Sequence, residues 1–342
     1  MKKNSNQIKL HNNLRTFRDL YLLSLKTFVY SPINMFLGVF LVIFTLFIWL
    51  TFKSDNPFLF ASAIGTLIVR NGVHTFHRTL SNNKNTGFIG RINNTGLNVF
   101  IRPAANILAN FTINFVITLI LMLLTIIFFN DQRSLFSGVN WAMFIFGAIS
   151  LWLLSVIISY SIFIYVKSTI TGTIYVSLIY LFSYNLLGCA FPYEVIAKIS
   201  WLNIILYFLP QRYMLNVMQA GWVNATNLNY AGIDGKYKVD FRLGENLAIP
   251  FAVTYAMILI LSFCLITFII VNVRKTKVDI YGTSVVLKLS SDYIKDIKKC
   301  SSISELKELR KKHLEETDLN SRYIKSAQSK RLMKKEGNKK WK

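Results

Sequence analysis

Carboxylates are scarce: 16 acidic residues face 39 basic ones in a chain of 342, for a formal charge of +23. Asp19, Asp55, Asp131, Glu194, Asp234, Asp240 and Glu245 fall in loops or at the ends of apolar runs, and the other nine come after Val273. With no acid inside an apolar run, the sequence offers no carboxylate relay for proton or sodium coupling. Cysteine is scarce too. Cys189, Cys264 and Cys300 are scattered without close pairing, which gives neither a disulfide framework nor a zinc site. There is no G-x-x-x-x-G-K-[ST] loop for ATP, and no H-E-x-x-H, G-x-S-x-G or Cys/His metal pattern for the common membrane hydrolases. Any ATP used as fuel must therefore be bound by another polypeptide.

What is abundant is apolar sequence in long blocks, with 53% hydrophobic against 16% charged residues. That composition fits an all-α, polytopic membrane protein. Residues 1–30 form a cytoplasmic segment in which Leu10, Leu14, Phe17, Tyr21 and Phe28 recur at helical spacing among Lys9, Arg15, Arg18 and Lys26. The pattern predicts an amphipathic interfacial helix ended by Ser31-Pro32. Six spans are expected within residues 31–273: Ile33–Phe52, Phe58–Phe76, Pro103–Phe129, Val139–Val166, Gly172–Phe191 and Ile249–Val273. Between the fifth and sixth, Gly188 and Pro192 break the helix, and Glu194 and Lys198 make the next apolar run a poor span. An outer hairpin that enters the bilayer and returns, ending at Leu209-Pro210, is expected there. With the loop after it, read as a soluble stretch from Val223 to Gly244, this region covers about residues 192–248. The basic cytoplasmic tail, residues 274–342, carries a Ser302-x-x-Glu305 capping box that opens a helix to about Glu316. With both termini cytoplasmic, 32 of the 39 Lys and Arg lie inside and 7 outside, as the positive-inside rule requires of a multi-pass plasma-membrane protein.

Three groups of residues stand out. Arg70, His74, His77 and Arg78, at i, i+4, i+7 and i+8, share one helical face near the inner end of the second span. Snorkelling to phosphate headgroups explains them, and an inner vestibule for an anionic lipid or substrate is the alternative. Trp201, Tyr207 and Trp222 read as interfacial anchors around the hairpin, with a substrate cage as the other option. On the fifth span Ser177, Ser183, Tyr184 and Asn185 read as helix–helix glue, with a pathway lining as the other option. The tail reads as a segment drawn to anionic inner-leaflet lipid, with the ATPase or nucleic acid as lesser options.

The order of these elements resembles the type 2 ATP-binding-cassette (ABC) exporter permeases over roughly residues 10–273. One local carrier is Gly188-x-x-x-Pro192 with Pro210 eighteen residues on, although Ser200-Trp201-Leu202 stands where that family often has another proline. The second is Asn83-Lys84-x-x-Gly87 with Thr95-Gly96 after it, in which Asn83 replaces an acid and Gly96 a proline. The resemblance implies a transport subunit that does no chemistry itself. It would pair with a second permease copy and with ATPase subunits carrying ATP and magnesium, and would export a lipid-like or amphipathic substrate. It also implies a coupling element near residues 87–98, with Gly87, Arg91, Asn93, Asn94 and Thr95 as candidates, although an ordinary polar loop explains the same residues. A membrane-integral lipid-headgroup enzyme using His74, His77 and Arg78 is one alternative reading, and a passive scramblase or channel is another.

Overall fold

The computed structural model describes residues 2–52, 55–89, 100–166, 168–188, 196, 198–232, 236–278, 293–294, 296–298 and 300–315. They are predominantly helical. Contacts divide the chain into two units: one holds Arg18–Asn82 and Pro103–Leu265, the other Met1–Phe17, Asn83–Arg102 and Ile266–Lys342.

Helix α1 (Lys2–Tyr30) stops where expected, because Ser31 accepts from the Asn34 N–H and Pro32 occupies the first position of the next helix. That helix, α2 (Pro32–Phe52), contains a π-helical turn at Phe36–Phe40. Helices α3 (Leu59–Val69) and α4 (Phe76–Asn85) are joined by a second π turn, Arg70–Thr75. Next in the chain are α5 (Ile101–Phe128), the short α6 (Asn130–Leu135), α7 (Trp141–Tyr165) and α8 (Thr169–Leu186). Asn140 and Ser168 cap the starts of α7 and α8. Among the described residues, α2, α5, α7 and the stretch Ala248–Phe268 are long and apolar enough to cross a membrane.

The region expected to form the outer hairpin is described in part. Residues 189–195, Pro192 among them, lie outside the described set. Beyond them come two short helices, α9 (Ser200–Leu206) and α10 (Gln211–Trp222). Helix α10 is only about 18 Å long, yet every one of its residues except Tyr213 is buried. Small residues let it lie against α7: a Cβ on Gly221 would sit 2.8 Å from the backbone nitrogen of Phe144, and one on Gly147 3.2 Å from that of Met218. The Asn140 N–H also donates to the Gly221 carbonyl at 2.9 Å.

Trp222 corrects the expectation of an interfacial anchor. It is 1% exposed and sits among Phe60, Phe136, Trp141 and Phe144, with ring centroids 4.6–6.1 Å away. Position near a break in the sequence suggested an interface, but packing against α7 carried the indole inward. Trp201 is 65% exposed.

The stretch expected to be soluble, Val223–Gly244, is also packed down. It forms a two-stranded antiparallel ribbon, β1 (Asn229–Tyr230) and β2 (Val239–Asp240), with Asn229 opposite Asp240. Ala225, Leu228, Val239, Phe241 and Leu243 are buried. Phe58 meets Tyr230 and Phe241 edge-on, and the Tyr237 hydroxyl donates to Asp55 at 2.6 Å. Helix α11 (Ala248–Val278) comes after the ribbon.

In the other unit the tail helix α12, residues 303–315, starts where the capping box predicts. Ser302 Oγ accepts from the Glu305 N–H at 3.3 Å, while the Glu305 carboxylate reaches one residue further back, to the Ser301 N–H at 2.8 Å.

Candidate functional site

Of the coupling candidates, Gly87 is described and Arg91, Asn93, Asn94 and Thr95 are not. Gly87 has φ +70° and its N–H donates to the Lys84 carbonyl at 3.1 Å, so it closes the end of α4 in a conformation that glycine adopts without strain. Of the hairpin residues, Gly188 has φ +87° and lies just past the end of α8, and Pro210 immediately precedes α10.

The basic face of the second expected span is held inside the unit. Arg70 is 7% exposed and His77 2%, while His74 and Arg78 are half-buried. These burials do not fit two side chains reaching headgroups. The π turn is the physical reason for part of this, since its extra residue rotates α4 away from the angular position that a regular helix would give it. Arg70 and His74 both lie against Tyr180 of α8. The His77 ring meets Gly172, nearer the start of α8, where a Cβ would sit 2.9 Å from its Nε2, and it also lies near Phe163 of α7.

Two buried arginines show what is unusual about Arg70. Arg212, on α10, is fully buried; it donates to the carbonyls of Asn203 (2.7 Å) and Phe241 (3.2 Å) and stacks on Tyr207 at 4.0 Å. Its charge is spread over backbone oxygens. Arg70 has only the aromatic half of that arrangement. Its guanidinium stands 5.2 Å over the Tyr180 ring, Nε is buried without an acceptor, and the side chain makes no hydrogen bond or ion pair among the described residues.

Arg70 borders a cavity of about 110 Å³ between α2, α3 and α8. Val42, Leu46, Leu59 and Thr66 line its buried part, and the half-buried Trp49, Tyr180 and Tyr184 line its outer part. Tyr180 and Tyr184 stack one helical turn apart at 5.9 Å, and Trp49 lies 6.5 Å from Tyr184. Such a site can hold one anionic group and a small apolar one. Sequence reasoning found Arg70 and Tyr184 separately but missed their meeting. The available signal was the aromatic pair Tyr180 and Tyr184 at i, i+4 on one face of α8. No group of three His, Cys, Asp or Glu that could hold a metal occurs among the described residues.

No protein-family model matches the chain, and no curated protein or solved structure matches it either.

Proposed function

We propose that the chain is the membrane-spanning subunit of an ATP-driven exporter of the type 2 ABC class, moving a lipid-like or amphipathic substrate. On this reading α2, the α3–α4 rod, α5, α7, α8 and the first part of α11 are the six spans of a plasma-membrane protein with both termini cytoplasmic. A second permease copy completes the pathway, and ATPase subunits on the inner side bind ATP and magnesium. The observation that carries the reading is α10, a short helix buried against α7 and α3 although it lies between α8 and α11 in the chain. It supports an inserted helical hairpin between the last two spans, the best local carrier of the resemblance. The scarcity of acids in the apolar runs is a second support, because it leaves an external ATPase as the simplest energy source. The headgroup-enzyme alternative has less support, since His77, one member of its site, is buried against Gly172 and Phe163.

The test is a detergent pull-down of the tagged chain read by mass spectrometry, repeated with residues 87–98 scrambled. Recovery of an ATPase that disappears with the scrambled loop is the expected result. A folded chain that recovers no ATPase would overturn the exporter reading.

A further inference from the structure

We infer that the cavity beside Arg70 binds the anionic group of an amphiphile, a phosphate or carboxylate carried on an alkyl chain that enters from the bilayer. The guanidinium has N–H groups without acceptors and stands 5.2 Å over the Tyr180 ring. Arg212 shows that this chain does bring carbonyl oxygens to the terminal nitrogens of a buried arginine. At Arg70 the wall instead offers Leu46, Leu59 and Ala63 with the hydroxyls of Thr45, Thr66, Tyr180 and Tyr184, none of which bonds the guanidinium. An anion placed there would supply both the missing acceptors and the missing countercharge.

The size and surroundings of the cavity set the class of ligand. A volume of about 110 Å³ is somewhat below the ~150 Å³ that admits benzene, so the space takes one charged group with a short piece of chain. Phe44 and Ile48 of α2 and Leu178 and Leu181 of α8 are exposed on the same two helices. In a membrane these side chains would meet lipid, and the rest of an alkyl chain could lie along them. A small hydrophilic anion would gain nothing from that apolar surface. The inference rests on the lipid-transport reading for what the site is for, and the binding itself can be measured without any ATPase.

The full chain, purified in dodecyl maltoside, would be titrated with dodecyl phosphate, dodecanoate or neutral dodecanol and read by native mass spectrometry. The expected result is one bound equivalent of at least one anionic probe, held at least ten-fold more tightly than dodecanol. Retention of dodecyl phosphate alone would assign a phospholipid-like ligand, retention of dodecanoate alone a fatty acid, and retention of both a site for either anion. Arg70→Gln should weaken the retained anion ten-fold or more, with Arg70→Lys intermediate. Ala63→Phe, which fills the cavity but keeps the guanidinium, should weaken it as much and carries the test if Arg70→Gln does not fold. Anions held no better than dodecanol by the wild type would overturn the site. So would undiminished binding by a monodisperse Ala63→Phe variant. Recovery of an ATPase by a chain that binds no anion would overturn the site alone, whereas anion binding without an ATPase would overturn the exporter reading alone.

Discussion

Asn110 donates from its amide nitrogen to the main-chain carbonyl of Asn71 at 3.0 Å, joining α5 to the π turn between α3 and α4. That carbonyl also accepts from the Phe76 N–H within the turn, while the Asn71 amide reaches the Gly38 carbonyl in the π turn of α2 at 3.2 Å. Asn110 Oδ1 in turn accepts from Trp152 Nε1 at 2.9 Å and from Asn114 Nδ2 at 3.1 Å. Two buried amides thus connect α2, the turn between α3 and α4, α5 and α7. Asn110→Leu should destabilise the chain by about 2–3 kcal/mol: interhelical bonds in membrane proteins average about 0.6 kcal/mol, and the Trp152 N–H would be left without its acceptor. Asn114→Leu should cost less than about 1 kcal/mol, because Asn114 Oδ1 is already unpaired. Equilibrium unfolding in mixed dodecyl sulfate micelles distinguishes the two, and equal losses would contradict a central role for Asn110.

The two tryptophans near the short helices should behave oppositely. Trp222→Ala removes an indole packed among four aromatic rings and should cost about 3–5 kcal/mol. Trp201→Ala, at a side chain that is mostly exposed, should change stability by no more than about 0.5 kcal/mol in detergent. Thermal unfolding monitored by light scattering is the measurement, and a larger shift for Trp201→Ala would contradict the exposure of that side chain on α9.

Arg212 fastens α10 to the segment C-terminal to it, through the Phe241 carbonyl. Arg212→Met should leave the carbonyls of Asn203 and Phe241 without this donor and destabilise the chain by about 2–4 kcal/mol. A lysine, which has no planar fork, should recover part of the loss. Limited proteolysis gives a local readout, with cleavage between residues 223 and 247 expected to speed up in Arg212→Met. Unchanged cleavage in a destabilised variant would mean that the arginine does not hold the ribbon down.

Glu305 should titrate below its ordinary value of 4.5, because the Ser301 N–H and then the Ser301 hydroxyl favour the carboxylate. A depressed native value sets the sign: the capping contribution is complete above pH 4.5 and is lost as the pH falls through the lower native value. The NMR shift of the Ser301 amide should report a midpoint under 4.5, and Glu305→Gln should abolish the transition. A midpoint at or above 4.5 would show that the cap does not form.

The helices were legible because their signals are local. The Ser31-Pro32 boundary, the long apolar helices and the start of the tail helix arise from capping chemistry and apolar length, which a chain reveals within a few residues. Asn106, Asn110 and Asn114, at i, i+4 and i+8 on one face of α5, were equally visible, but their partners were not. Asn106 accepts from Ser24 and Asn110 from Trp152, 82 and 42 residues away in the chain. The π turns were invisible for a related reason. The carbonyl of each makes a bond to another helix that no propensity encodes, Gly38 with Asn71 and Asn71 with Asn110.

The sequence by itself determined that this is a helical chain with apolar runs long enough for a membrane and almost no carboxylate inside them, since both properties depend only on residue type and run length. Tertiary structure alone decided that the Gln211–Trp222 helix is interior and not interfacial, because glycines on both sides allow backbones to approach where larger residues would not. It also decided which buried arginine meets carbonyl oxygens. Arg212 and Arg70 are the same residue type on helices of mixed polarity, but folding brings carbonyl oxygens to one guanidinium and an open, apolar, aromatic-edged cavity to the other.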